Sequence, residues 1–374
     1  MTDLAELYSI DNFIDTFALG HYARVLAAVD QRSKQNVAFK VLRPEHLDAN
    51  GNIRWEYRAF ANEAELLVKL RDSPHVVDLI DCGYISTPSE NPADGRIVSY
   101  QGNVAGFIHA QPEHARKGWR PYLALPQLPR TNNLFYAMKP AQAGVRWRLP
   151  TEEGLALAIQ FAHVLEMAHE QSIVYLDHKL EHLYWDGLKL EVIDFNSSRQ
   201  LDSNTNSDAH FLRMDIHNLC VGILYSVFTG LSPQKTTLRP QPSNRSAVEA
   251  RYQDITSLDF GVEPTLSPAL QQLLQRGANM EIETVDEFLE QLQQVAAVHG
   301  WDFPNQYTTA ADRDGRGQMR AALRKLRAGQ ASIREARDLL FDAAILDDIS
   351  EDMEEELRRL VKVANDMLNH RVIP

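Results

Sequence analysis

The sequence predicts an α+β chain with its strands gathered in the first third and its helices filling the rest, and three observations carry that prediction. Apolar runs of strand length lie at 17–25, 36–42, 76–84 and 122–128. Runs with helical period or continuous apolarity span 54–71, 150–171 and 215–233. Amphipathic segments at 318–329, 333–342 and 351–368 then predict a small helical tail.

The elements follow in order. Phe17-Ala-Leu-Gly-His-Tyr-Ala-Arg-Val25 turns at Gly20 between apolar strands, with Leu19 and Val25 on either side. Asn36-Val-Ala-Phe-Lys-Val-Leu42 alternates as a strand and carries Ala38 and Lys40. A turn at Asp48-Ala-Asn-Gly-Asn52 leads into a helix over 54–71, with Phe60, Leu66, Leu67 and Leu70 on its apolar face and Glu63 and Glu65 as its candidate carboxylates. Residues 85–120 read as an insertion between two strands. Its start is rich in turn residues, and 96–100 with 104–108 predict an added hairpin. Leu123-Ala-Leu-Pro-Gln-Leu-Pro129 follows as an extended connection containing Leu125 and Leu128. Pro150-Thr-Glu-Glu is a helix-start signal, and Leu155, Ile159, Phe161, Leu165 and Met167 form the buried side of that helix. The run from Asp215 is so continuously apolar that it predicts a buried central helix.

Composition excludes several function classes. At 374 residues, 44% hydrophobic and 24% charged, the chain has a globular profile, and no apolar run is long enough to span a bilayer. The first residues lack the basic and apolar regions of a signal peptide, so a cytoplasmic location is expected. Two cysteines, Cys82 and Cys220, are too few for a disulfide framework and lie in apolar segments as buried thiols. A net charge of −13 argues against nucleic-acid or anionic-membrane partners.

The chemistry gathers at Ile173-Val-Tyr-Leu-Asp-His-Lys-Leu-Glu-His182 and at Ile193-Asp-Phe-Asn196. An apolar run delivers a polar loop with Asp177 and Lys179, a strand pair follows, and its second strand ends on Asp194. His178-Lys-Leu-Glu-His182 also spells the H-x-x-E-H signature of inverted zinc peptidases. That reading requires a continuous helix placing both histidines on one face, whereas the motif lies between strand-like runs.

These segments resemble the eukaryotic-type serine/threonine protein kinases found in bacteria. The loop pattern His-Arg-Asp-x-Lys-x-x-Asn falls on Tyr175 through His182, and Asp-Phe-Gly falls on Asp194, Phe195 and Asn196. Val-Ala-Phe-Lys40 is close to the family's V-A-I-K, Gly20 and Val25 are what is met of its glycine-rich loop, and Leu-Tyr-x-x-x-Thr-Gly-x-x-Pro after Asp215 is similar to its central helix. The resemblance implies a bilobal kinase-like fold. A small antiparallel sheet lobe would span 10–128 with the insertion at 85–120, a mainly helical lobe 129–300, and the helical extension 301–374. It also implies ATP with Mg²⁺, Mn²⁺ being an alternative. Leu19, Gly20, Val25, Ala38, Lys40 paired with Glu63, Leu125 and Leu128 would bind the nucleotide. Asp194 and His182 would hold the metal, Asp177 would orient the attacking hydroxyl, Lys179 would neutralise developing charge, and Asp215 would brace the loop.

Three departures qualify the match. His182 replaces a metal-binding asparagine, Leu176 replaces the arginine that pairs with an activation-loop phosphate, and Asn196 replaces a glycine. From Asp194 to Asp215 there are only 21 steps, with no Ala-Pro-Glu motif. The expected activity is transfer of the ATP γ-phosphate to a protein hydroxyl, with the C-terminal helices offering a surface to a protein partner. A pseudokinase binding module and a small-molecule phosphotransferase are the rival readings.

Overall fold

In the computed structural model the described residues are 2–13, 22–48, 50–90, 92–138, 148–201, 206–233, 251–298, 329, 332–338, 340 and 351–369. They form an α+β protein with two compact units, one made of Met1–Leu128 with Ile193–Ser198 and the other of Pro129–Val192 with Arg199–Pro374.

The first unit is built on one antiparallel sheet. Its strands are β1 (Thr2–Asp3), β2 (Tyr8–Phe13), β3 (Ala23–Asp30), β4 (Asn36–Leu42), β5 (Asp81–Ile85), β6 (Arg96–Ser99) and β7 (Arg120–Pro126), in the order β1-β6-β5-β7-β4-β3-β2. Four of these strands overlap the apolar runs expected from the sequence; beyond them β2 pairs with β3, and β6 of the insertion pairs with β5 and recruits β1 beyond it. Side chains alternate across β3, β4 and β7, as a strand's period of two requires. Leu26, Val37, Phe39, Val41, Tyr122 and Ala124 form one core layer with Leu4, Tyr8, Ile85 and Ile97. On the other face the helix Trp55–Lys69 buries Tyr57, Phe60 and Ala64 against Leu123, Cys82 and Tyr84.

The rest of the insertion departs from the expected hairpin. Val104–His109 is a short helix followed by another, Gln111–Arg116. Asn103 caps the first by accepting from the Gly106 N–H at 2.9 Å, and Val104 and Phe107 are buried one helical turn apart. The β-favouring composition of that run is overruled by its cap and its i, i+3 spacing.

The second unit is mainly helical. Thr151–Glu170 buries Leu155, Ile159, Phe161 and Leu165, while Met167 is half-buried. Asn206–Asn218 runs through a π-helical stretch, Leu219–Leu224, into Tyr225–Thr229, and ends on Gly230 in the left-handed region, φ 71°. Against the expectation from the sequence, its Asp208–Thr229 portion is by length and composition apolar enough to cross a bilayer; 78% of its 18-residue apolar window is buried inside the protein, as in a core helix. Pro268–Ala278 and Val285–Val298 pack beside it and beside Thr151–Glu170. Two short strand pairs complete the unit, β8 (Ile173–Val174) with β11 (Arg199–Gln200) and β9 (Leu183–Trp185) with β10 (Leu190–Val192).

Of the expected tail, 332–338 and Glu351–Asn369 are helical, and most of 318–329 lies outside the described residues. The fully buried Arg334 donates to the Tyr136 carbonyl, and Arg130 pairs with Glu335 at 3.5 Å, so this part of the tail is fastened to the helix Leu134–Met138.

Candidate functional site

The predicted residues fall into two clusters, one in each unit. In the first, strand register does the placing. Val25 pairs with Lys40, Ala38 with Leu125, and Lys40 with Leu123. Paired residues share a face, so Val25, Ala38, Lys40 and Leu125 stand together opposite the Phe39 layer. Val25 and Ala38 remain half-buried there. Leu128 lies past the end of β7 and is half-buried, and Leu19 and Gly20 lie outside the described residues.

Lys40 is the centre of this cluster. Its Nζ donates to Glu63 Oε2 at 2.7 Å and to Asp194 Oδ1 at 2.9 Å, with the lysine only 5% exposed and Glu63 1%. Burial alone would lower the lysine pKa, but Asp194 and Glu63 overcome it and raise it above the usual lysine range. The choice between two helix glutamates is settled by their surroundings. Glu63 faces inward to Lys40, whereas Glu65 is half exposed and pairs with Lys69 at 2.8 Å along the helix surface.

Asp194 adopts φ 65°, a conformation a non-glycine residue rarely takes. Asn196 Nδ2 contacts its Oδ1. Asn62, one residue before Glu63, donates to the Ser198 carbonyl at 3.0 Å, tying the helix to this turn. Sequence reasoning missed Asn62, and its adjacency to Glu63 was the only available signal.

The second cluster is the loop after β8. Asp215, fully buried, accepts the N–H groups of Tyr175 and Leu176, each at 2.7 Å, and lies 3.0 Å from His169 Nε2. Asn218, one turn on, donates to the Leu176 carbonyl at 3.0 Å. Leu176 is thus gripped at both its amide and its carbonyl while held at φ 65°. The Asp177 N–H donates to the Tyr175 carbonyl at 2.9 Å, closing a strained three-residue turn. Such strain persists only where neighbours over-determine it, and the central helix supplies those neighbours. The bracing role expected of Asp215 therefore has a geometric basis.

Asp177 itself is 3% exposed. Lys179 Nζ lies 2.8 Å from its Oδ2, and Arg251 Nη2 lies 3.3 Å from its Oδ1. Burial would raise the Asp177 carboxyl pKa, but Lys179, His182 and Arg251 outweigh burial and hold it below the usual aspartate range. His182 ends the short 3₁₀ turn Leu180–His182, with its Nδ1 3.0 Å from the Asp177 carbonyl and 3.2 Å from the Tyr175 hydroxyl. A carbonyl only accepts, so Nδ1 is the donor of that contact. Of the catalytic and metal residues expected from the sequence, Asp177, Lys179 and His182 meet in this unit, and Asp194 joins Lys40 in the other.

The zinc-peptidase alternative does not hold. The H-x-x-E-H run forms no continuous helix, and the His178 ring is fully buried 5.3 Å from Phe161 and 5.0 Å from Tyr175. Desolvation pushes His178 down to about 4, so the ring is neutral. Among the described residues no group of three or more His, Cys, Asp or Glu side chains is arranged to hold a metal.

No protein-family model matches the chain, and no curated protein matches it. The case for function therefore rests on the residues. One lysine is neutralised by two carboxylates on a sheet face, and one ionised aspartate is flanked by cations on a strained, braced loop.

Proposed function

We propose that the chain is an ATP-dependent serine/threonine protein kinase with a kinase-like bilobal fold. The observation that carries this reading is Lys40, 2.7 Å from Glu63 and 2.9 Å from Asp194 on the face that also bears Val25, Ala38 and Leu125. Phosphoryl transfer is mostly positioning and charge stabilisation, and a strand lysine tied to a helix glutamate is the kinase device for holding nucleotide phosphates. Val25, Ala38 and Leu125 give the adenine an apolar bed. Asp177, kept ionised, accepts a hydrogen bond from the acceptor hydroxyl and orients it, and Lys179 offsets charge that grows on the transferred group.

Asp194 would hold the divalent ion, which when bound neutralises the phosphate oxygens. The carboxylate suits Mg²⁺ and Mn²⁺. A nucleotide-binding module without transfer is the second reading, favoured by the two cations already seated on the Asp177 carboxylate.

The test is transfer of phosphate from ATP to a panel of serine- and threonine-containing proteins, with Mg²⁺ and then Mn²⁺. Asp177→Ala and Asp194→Ala are each expected to reduce the rate by roughly a thousandfold. ATP binding with no transfer under either metal leaves the binding module. Absence of both nucleotide and metal binding would make Lys40 and Asp194 scaffold residues.

A further inference from the structure

We propose that Arg251 is a positioning residue for Asp177, supplied from beyond the central helix; this rests on the kinase reading above. Arg251 reaches Asp177 as part of a fastened segment. Its neighbour Tyr252 is 6% exposed, and the tyrosine hydroxyl donates to the His178 carbonyl at 2.7 Å, one residue along the loop from Asp177. The Tyr252 carbonyl lies 3.0 Å from Nε2 of the fully buried His217, whose Nδ1 lies 2.8 Å from the Ala278 carbonyl. The Tyr252 ring sits over Gly222 in the π-helical stretch, where an added Cβ would come within 2.7 Å of it. A π-helical turn and a glycine therefore make room for this one aromatic ring.

The same short segment thus touches the loop twice, once at the His178 backbone and once at the Asp177 carboxylate. That two-point attachment fixes where the guanidinium stands. Lys179 comes from the loop itself and holds Oδ2. Arg251 comes from outside and forms an ion pair with Oδ1 at 3.3 Å, so cations on two different elements face the two oxygens of the carboxylate. An acceptor hydroxyl must meet that carboxylate in a defined orientation, and misplacement by about 1 Å costs on the order of a hundredfold in rate.

The experiment measures kcat and KM for wild type, Arg251→Ala and Arg251→Lys, in the full chain, with thermal melts to establish folding. Arg251→Ala should lower kcat by about ten- to a hundredfold and leave KM for ATP within about twofold. Arg251→Lys, which keeps charge without the planar fork, should recover part of kcat. A folded Arg251→Ala whose kcat does not fall, or whose loss of kcat Arg251→Lys does not partly restore, overturns the positioning role alone. If Arg251→Ala does not fold, a folded Arg251→Lys with unchanged kcat does the same. A wild type that transfers no phosphate with either metal overturns both this role and the kinase reading.

Discussion

The two clusters are electrostatic opposites. Around Lys40 one cation is shared by two carboxylates, Glu63 and Asp194. Around Asp177 one carboxylate is shared by two cations, Lys179 and Arg251. Each arrangement keeps its central group charged despite burial that alone would neutralise it. The surplus charge differs in sign, negative beside Lys40 and positive beside Asp177. A negative surplus suits a site that takes a divalent cation, and a positive surplus suits one where an anionic phosphoryl group meets a hydroxyl.

The contrast predicts that the first cluster breaks hardest when its shared ion is removed. Lys40→Met leaves Glu63 buried without its cation, a change that costs about 3–5 kcal/mol when one partner of a buried pair is lost. Denaturant unfolding should register that loss, and adding Glu63→Leu to Lys40→Met should recover most of it, because the uncompensated charge goes with the carboxylate. If Lys40→Met alone lowers stability by less than 1 kcal/mol, the pair behaves as a surface ion pair and the buried-triad picture is wrong.

The opposite signs also give the two regions different pH windows. The Lys40 pKa is raised on folding, so its contribution is fully present below the unfolded lysine value and is lost only as pH rises through the still higher folded one. No loss from this cluster is expected at neutral pH. The Asp177 loop instead rests on His178, a buried neutral ring lowered to about 4. In the unfolded chain this histidine takes up a proton near pH 6.5, whereas in the folded one it does so only near the lowered value. Its contribution is therefore present above about pH 6.5 and falls as pH drops through that window, by about 3 kcal/mol in all. Urea unfolding at pH 7 and pH 4.5 should show this in the wild type and much less of it in His178→Leu. Equal acid sensitivity in both proteins would place the titrating group elsewhere.

How much of this was legible in the sequence differs between the clusters for a physical reason. Lys40, Glu63, Asp177 and Lys179 lie in short patterned segments whose register or spacing fixes their neighbours, so reading the pattern reads the site. Asp215 could be read from the apolar run it opens, although the helix itself begins earlier, at Asn206. Arg251 could not, since nothing in Arg251-Tyr-Gln-Asp marks it as a partner of a loop far back along the chain; only tertiary packing brings it there. The same holds for Asp81, which lies inside the apolar run 76–84 with nothing in the sequence to mark it. It is fully buried and accepts from Tyr8, Tyr122, Ser99 and the Gln101 N–H. The 104–108 run failed in another way, because its residue types favour a strand while its spacing favours the helix that forms.

The smallest expected effect sharpens the first cluster most. Glu63 and Glu65 are two residues apart on one helix and roughly 200° apart around its axis, so one points to Lys40 and the other toward solvent. Glu65→Ala removes an exposed i, i+4 pair with Lys69, a change worth at most about 0.5 kcal/mol. It should leave both stability and ATP affinity where they were, while Glu63→Ala lowers both. Isothermal titration with ATP and denaturant unfolding of the two variants side by side decide the matter. An ATP affinity that falls for Glu65→Ala and holds for Glu63→Ala would reverse the helix's assigned face and, with it, the partner of Lys40.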